Sequence, residues 1–131
     1  MTFAGRRLIL DRGFDRAMEA VLGAFLQEGF GITPVSAGDL RCGGDNGQPR
    51  RYALIDAALP ELLFNSTTAV VPAAWFRCGV SMFELADSCT LVTVESPLWY
   101  YPALARLVPV ISERIQYAMR ALRSRPIRNA A

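Results

Sequence analysis

The sequence contains no histidine and no lysine, since all 14 of its basic residues are arginine. Without histidine the chain can build neither a Ser-His-Asp triad nor a Cys-His pair, and it offers no imidazole to a metal ion. Without lysine it can form no Schiff base and has no Walker lysine for nucleotide phosphates. An enzyme made from this chain would have to work with cysteine, carboxylates, tyrosine and arginine.

Cysteine is also scarce, with Cys42, Cys78 and Cys89 far apart in the sequence and no CxxC pair among them. An odd number of dispersed cysteines encodes neither a disulfide framework nor a zinc finger. Three reduced thiols fit a cytoplasmic protein. We therefore expect no metal site and no cofactor.

Long hydrophobic runs are absent. The longest apolar stretches, such as residues 69–76, fall well short of the ~20 residues that span a bilayer. The N-terminal run Leu8–Leu10 is likewise shorter than the apolar core of a signal peptide. The expectation is a bacterial cytoplasmic protein without membrane contact.

The chain contains enough apolar residues to form one ordinary hydrophobic core. It has 131 residues, of which 52% are hydrophobic and 20% are charged. This size and composition predict a single domain over residues 1–131. Its basic tail, residues 124–131, is expected to be loosely ordered. The net charge of +2 is too small to indicate a polyanionic partner for the chain as a whole.

The hydrophobic pattern predicts an α+β fold with a largely antiparallel sheet and two main helices on one face. The segment 60–67, which Pro60 opens, is expected to be a short extra helix. The predicted strands are residues 6–11, 30–35, 52–57, 78–85 and 90–95. The first main helix is predicted over residues 14–28, and the last one is indicated by an apolar face that runs from Leu104 to Leu122.

Three local features sharpen this prediction. Because the second strand follows the first helix within two residues, it is expected to lie close beside the first strand, with Pro34 indicating an edge or a bulge. Pro109 should either kink the last helix or mark where its regular part begins. The glycine-rich stretch 41–49 has neither GxGxxG nor GxxxxGK[ST] spacing, so it is interpreted as a loop and not as a phosphate site.

Several phrases of the sequence resemble the family catalogued as domain of unknown function 302 (DUF302). They are GFDRAMEAVLGAFLQEGFGI from Gly13, YALIDAALPELL from Tyr52, and CGVSMFELADSCTLVTVESP from Cys78. The resemblance implies a β-α-β4-α arrangement like that of the TATA-binding-protein fold, commonly dimeric and with no established activity. A shared fold with a DNA-binding protein is no reason to infer DNA binding, because function depends on particular sites.

The chain departs from that family's pattern in two places. It has Ala58, Leu59 and Pro60 where the family often has Cys-Asn-Pro, and Arg77 where Pro-Cys is common before Cys78. Any role for the first of these cysteines is therefore lost here.

Cys78 is the weak candidate for a catalytic or redox residue, because it matches a cysteine of the family pattern and lies beside Arg77, whose charge favours a thiolate. The competing interpretation is a small buried hydrophobe in an apolar strand. Both interpretations stay open at the level of sequence.

Trp99, Tyr100 and Tyr101, with Trp75 elsewhere, concentrate large amphipathic side chains before the last helix. Such residues often form interfaces or the wall of an apolar groove, although simple closure of the core would also account for them. They are the candidate ligand-binding or interface residues.

The remaining charged residues give weaker signals. No metal-binding or acid-base spacing links the carboxylates Asp39, Asp56, Glu84 and Glu95. The arginines near the C-terminus lack interleaved aromatics, so nucleic-acid binding is not expected and helix-dipole complementation explains them. These arginines are Arg120, Arg123, Arg125 and Arg128.

The sequence thus favours a noncatalytic domain that binds a small apolar molecule or another protein, and that forms a homodimer with a groove near Trp75, Trp99 and Tyr101. The alternative is a thiol-dependent enzyme or redox sensor that uses Cys78, which requires an accessible thiol of low pKa.

Overall fold

The computed structural model describes residues 5–41, 48–59, 77–95 and 108–124. Their elements follow in the order strand, helix, four strands, helix, which confirms the predicted β-α-β4-α arrangement. The elements are β1 (Gly5–Leu10), α1 (Phe14–Gln27), β2 (Gly31–Arg41), β3 (Pro49–Ala58), β4 (Arg77–Ala86), β5 (Cys89–Glu95) and α2 (Val108–Ser124). The predicted short helix over 60–67 lies outside the described residues.

The five strands form one antiparallel sheet in the order β1-β5-β4-β3-β2. The expectation that β2 lies beside β1 is therefore wrong, because these two strands occupy opposite edges. The physical reason is strand direction: a single helix between β1 and β2 makes these two strands run the same way, and the observed order keeps every neighbouring pair antiparallel.

Pro34 lies on an edge strand, and the register between β2 and β3 shifts between Pro34 and Ser36. Both predictions for Pro34, an edge strand and a bulge, are thus confirmed. A proline on an edge strand removes no donor that a neighbouring strand requires, and a bulge accommodates its fixed φ angle.

Helix α1 buries one face against the sheet because its apolar residues recur at three- and four-residue steps. Asp15 lies in its first turn, where the helix dipole favours a negative charge. The same end is tied to β3 by Arg51, whose guanidinium contacts Asp15 at 2.8 Å and lies 4.6 Å from the centre of the Phe14 ring. The buried residues are Phe14, Ala17, Ala20, Val21, Ala24 and Phe25.

The C-terminus of α1 is a Schellman motif built around Gly29, whose φ angle is 91°. The amide of Phe30 donates to the carbonyl of Phe25 at 3.1 Å, and that of Gly29 donates to Leu26 at 3.0 Å. The rings of Phe25 and Phe30 pack with centroids 5.1 Å apart, which is the hydrophobic contact expected of this motif. Arg114 of α2 donates to the carbonyl of Glu28 at 2.6 Å, so the second helix helps to cap the first.

Gly23 lies inside α1, and no packing contact calls for glycine there, since a Cβ at this position would meet none of the described residues within 4 Å. We expect Gly23→Ala to raise the free energy of unfolding by about 0.5–1 kcal/mol, because alanine loses less backbone entropy in a helix. Chemical denaturation followed by circular dichroism measures this change. A loss of stability would contradict the open space at this position.

Helix α2 packs on α1 and on β1 through Ile111, Ile115, Ala118, Met119 and Leu122. Pro109 is the second described residue of this helix, and the residues before the helix, 96–107, lie outside the described ranges, so the role expected of this proline stays a prediction. The two helices cover the same face of the sheet, as predicted, and the core lies between them and the strands. Among the described residues, no helix is long and apolar enough to cross a membrane.

Candidate functional site on the open face of the sheet

The sheet has one face covered by α1 and α2 and one face, here called the open face, on which none of the described helices packs. Alternate residues of each strand point to opposite faces. On the covered face lie buried residues such as Leu10, Ile55, Met82 and Val94, each at most 5% exposed. Their neighbours in sequence point to the open face, and many of them are apolar too.

An apolar row of four side chains crosses the open face from one edge strand toward the other. Ile9 is opposite Leu91, Leu91 is opposite Phe83, and Phe83 is opposite Tyr52. The rings of Tyr52 and Phe83 stack with centroids 6.5 Å apart. Ile9 is 57% exposed, and the other three are half-buried.

The row ends at Gly38 of β2, where the ring of Tyr52 occupies the space of the missing side chain. A Cβ at Gly38 would lie 3.3 Å from this ring. The hydroxyl group of Tyr52 hydrogen-bonds with Ser36 at 3.1 Å. These contacts hold the tyrosine flat on the sheet and give the row a fixed shape.

A shallow groove of about 340 Å³ lies on the open face beyond this row. Gly79 and Ser81 of β4 form its floor. Its walls come from the neighbouring strands, with Leu54 and Asp56 from β3, Thr93 and Glu95 from β5, and Val35 at the bulge of β2. The groove therefore combines two carboxylates, two hydroxyl groups and an apolar side.

The two carboxylates flank the glycine. Gly79 is directly opposite Asp56 on one side and Glu95 on the other. A Cβ at Gly79 would meet none of the described residues within 4 Å, so no described side chain fills the space between the two acidic side chains. Partners in antiparallel strands point to the same face, and both carboxylates therefore stand on the open face.

Cys78 points away from this groove into the core and is 1% exposed. Burial, and secondarily the negative charge of Asp56, raise the pKa of the Cys78 thiol to about 12. A thiol that stays protonated and out of contact with solvent is a poor nucleophile. The structure thus places Cys78 as a small buried hydrophobe, and the accessible, low-pKa thiol that the alternative hypothesis requires is not found. Cys89 is half-buried, and Cys42 lies outside the described residues.

The predicted aromatic site lies outside the described residues, since Trp75, Trp99, Tyr100 and Tyr101 all fall between the described ranges. The groove predicted near them stays a prediction. Of the carboxylates, the structure brings together Asp56 and Glu95 and leaves Asp39 apart on β2, while Glu84 accepts a hydrogen bond from the backbone amide of Arg51 at 3.0 Å.

The arginines near the C-terminus are only partly described. Arg123 lies in the last turn of α2, as helix-dipole complementation requires, and Arg120 lies 5.8 Å from the centre of the Tyr117 ring. Burial, and then the charge of Arg123, lower the pKa of Arg6, which donates a hydrogen bond to the hydroxyl of Ser112. Arg125 and Arg128 lie outside the described residues.

Sequence reasoning missed the open face, although β1, β4 and β5 carry a signal for it. A sheet with one solvated face shows apolar and polar residues in alternation, whereas a strand covered on both faces is apolar throughout. Leu8, Ile9 and Leu10 are consecutive apolar residues, and so are Met82 and Phe83. Such unbroken runs indicate that the second face of the sheet also has a partner.

The fold and the site together define a class of protein: an α+β domain whose antiparallel sheet has two helices on one face and an open, largely apolar second face. Among solved structures, the chain is similar to an uncharacterized conserved DUF302 protein from Bacillus stearothermophilus. The two share 14% sequence identity and superpose with a TM-score of 0.63 over 92% of this chain and 98% of that one.

This likeness confirms the predicted resemblance at the level of the fold, which is DUF302-like. No protein-family model matches the sequence. No curated protein matches it either.

Proposed function

We propose that the protein is a noncatalytic binding domain that acts as a homodimer, with the open face of the sheet as its binding surface. The observation that carries this proposal is the apolar row from Ile9, which is 57% exposed, to the half-buried Tyr52, on a face that bears none of the described helices. A soluble protein rarely leaves a contiguous apolar surface to water, and such patches mark binding sites. The buried, protonated Cys78 gives no support to a catalytic alternative.

The open face is large enough for a stable contact between two copies. Five strands at a spacing of about 4.8 Å, with about nine residues each at about 3.3 Å, project to roughly 700 Å². A standard protein interface buries about 800 Å² on each partner. The sheet therefore offers most of the area that a dimer needs without contribution from any other part of the chain.

The arrangement of the apolar row suits a twofold symmetric contact. In such a contact the same patch serves both copies, so it must be complementary to itself. The apolar row crosses the strands in a line, and a twofold axis along this line places apolar side chains on apolar side chains. The groove, whose nearest residue on β3 is Leu54, about 7 Å from Tyr52, then borders the interface along one side of the row.

The test introduces a charge into the row. We expect Ile9→Glu to raise the dimer dissociation constant at least tenfold, because a carboxylate would lose its hydration in the interface. Sedimentation equilibrium over a range of concentrations measures the constant, and native mass spectrometry checks the stoichiometry.

The matched control is Leu26→Glu. Leu26 is 57% exposed, the same as Ile9, but lies on α1 on the other side of the sheet. The Leu26→Glu variant should have a dimer dissociation constant within a factor of two of that of the unmodified protein. A protein that is monomeric at every concentration, or equal weakening by both variants, would remove the support for a dimer through the open face.

A further inference from the structure

We infer that the second copy on the open face is oriented by an ion pair between Arg7 and Asp11 of the partner subunit, formed twice across the twofold axis. This inference rests on the proposed function and adds to it the residues that decide how the two copies are arranged. It is carried by the position of the two residues on either side of the apolar row, by their opposite charges and by their exposure.

Arg7 and Asp11 lie symmetrically about the apolar row. The row reaches β1 at Ile9, and Arg7 lies two residues before Ile9 while Asp11 lies two residues after it, directly beyond the last residue of the strand. Because side chains alternate along a strand, both charges point to the same face as Ile9, each about 7 Å from it. A half-turn about the row therefore brings Arg7 of one copy to the place that faces Asp11 of the partner subunit.

The two charges are available for such a contact. Arg7 and Asp11 are both exposed. Within residues 5–41, 48–59, 77–95 and 108–124, neither of them takes part in an ion pair. A second copy supplies each charge with a partner of opposite sign, so this part of the surface is complementary to itself, as a twofold contact requires.

The two side chains can span the distance between packed sheets. Sheets that pack face to face lie about 10 Å apart, and their strands cross at about 30°. At β1, two strand spacings from the middle strand β4, this angle displaces facing residues by about 5 Å. The side chain of Arg7 is long and flexible enough to follow this displacement, and its guanidinium group can bind a carboxylate through two hydrogen bonds.

The two lines of residues that flank the apolar row place no like charges on each other. On β3 the half-turn puts Arg50 opposite Leu54 of the partner subunit, where the methylene groups of the arginine can cover the leucine. The corresponding residues of β5 and β2 are uncharged. They are Cys89 with Thr93 and Ser36 with Leu40.

A second axis would also superpose the apolar row on itself, but it gives Arg7 no opposite charge. This axis runs along the middle strand β4 through Phe83 and exchanges the two ends of the row. Ile9 would then face Gly38 of the partner subunit, and Arg7 would face Ser36 of the partner subunit. The axis along the row is favoured, because it places Ile9 on an apolar side chain and Arg7 on a carboxylate.

The first experiment exchanges the charges and measures the dimer by sedimentation equilibrium. Arg7→Asp alone and Asp11→Arg alone should each raise the dimer dissociation constant about tenfold, because each substitution places like charges opposite each other at two places in the dimer. Both substitutions in one chain should restore the constant to within about threefold of that of the unmodified protein. Circular dichroism checks that all three variants are folded.

The second experiment mixes the two single variants. The Arg7→Asp chain is acidic at both positions and the Asp11→Arg chain is basic at both, so each repels a copy of itself and attracts the other. Native mass spectrometry of an equimolar mixture should find roughly nine dimers in ten to be mixed, which follows from a tenfold weakening of the two unmixed dimers. Random pairing gives one mixed dimer in two.

The matched control is a mixture of Arg123→Asp with Glu113→Arg. These substitutions change the net charge of each chain by the same amounts, at exposed residues of α2 on the other side of the sheet. This mixture should pair at random, because general attraction between oppositely altered chains is screened by salt over about 10 Å.

The outcomes separate this inference from the proposed function. Random pairing of the Arg7→Asp and Asp11→Arg chains, or an equal preference for mixed dimers in the control, would overturn the ion pair. If Ile9→Glu still weakened the dimer in the same series, the dimer through the open face would stand without this contact. A protein that is monomeric at every concentration would overturn both.

Discussion

Phe25→Ala is expected to lower the free energy of unfolding by about 3–5 kcal/mol, the largest effect of any single substitution considered for this chain. Phe25 is fully buried between α1 and the sheet, and its ring packs on Phe30, which anchors the turn after Gly29. The substitution therefore creates a cavity and also removes the hydrophobic contact of the Schellman motif. Urea denaturation followed by circular dichroism measures the loss.

The neighbouring residue provides the control for Phe25→Ala. Leu26 is the next residue of α1 but is 57% exposed, so Leu26→Ala should change stability by less than about 0.5 kcal/mol. Comparable losses from the two variants would mean that α1 does not present this face to the sheet.

The same pair of residues shows why α1 was predictable from sequence. Its apolar residues follow the helical period, and Gly29 marks its end, because only a glycine readily takes the positive φ angle of the Schellman turn. The β4-β5 hairpin was predictable for a similar reason, since Ala86 and Cys89 pair directly around the two polar turn residues Asp87 and Ser88. In each case the information is local.

The order of the strands was not predictable in the same way. Local pattern gives the bounds of β1 to within one residue and the start of β2, but it misses the second half of β2, residues 36–41. It does not say which strand each will pair with, and the tendency of successive elements to be neighbours favoured the wrong answer. Had β1 and β2 been adjacent, they would have paired in parallel, because one helix between two strands returns the chain in the same direction. The observed order keeps every pair antiparallel.

The candidate site was the least predictable part. Asp56, Gly79 and Glu95 are separated by 23 and 16 residues in the sequence, and only the register of three strands brings them into one line. Each carboxylate alone looks like an ordinary exposed acid. Aromatic content pointed instead to residues 75 and 99–101, because a cluster of large side chains is visible in a sequence while a strand register is not.

Alkaline pH is expected to destabilise the protein through Cys78. In the folded state the pKa of this thiol is about 12, against 9.0 for an ordinary thiol. Because the folded-state pKa is raised, the contribution of the protonated thiol is fully present below pH 9 and is lost as the pH rises toward 12. Between these two pH values the thiol ionises in the unfolded chain but stays protonated in the folded chain. The free energy of unfolding therefore falls by about 1.4 kcal/mol per pH unit where the dependence is steepest.

The absence of lysine makes this effect measurable, because tyrosine and cysteine are the main groups that titrate in the same range. Between pH 7 and pH 10.5 the free energy of unfolding should fall by roughly 2 kcal/mol more in the unmodified protein than in Cys78→Ala, since only the former contains the buried thiol. Denaturant titrations at each pH give the comparison, and Cys89→Ala, which removes a half-buried thiol, should retain the slope of the unmodified protein.

Parallel slopes for the unmodified protein and Cys78→Ala would mean that Cys78 ionises freely in the folded state. That result would restore the thiol-dependent hypothesis, because a thiolate at this position must be accessible to solvent or stabilised by a nearby charge.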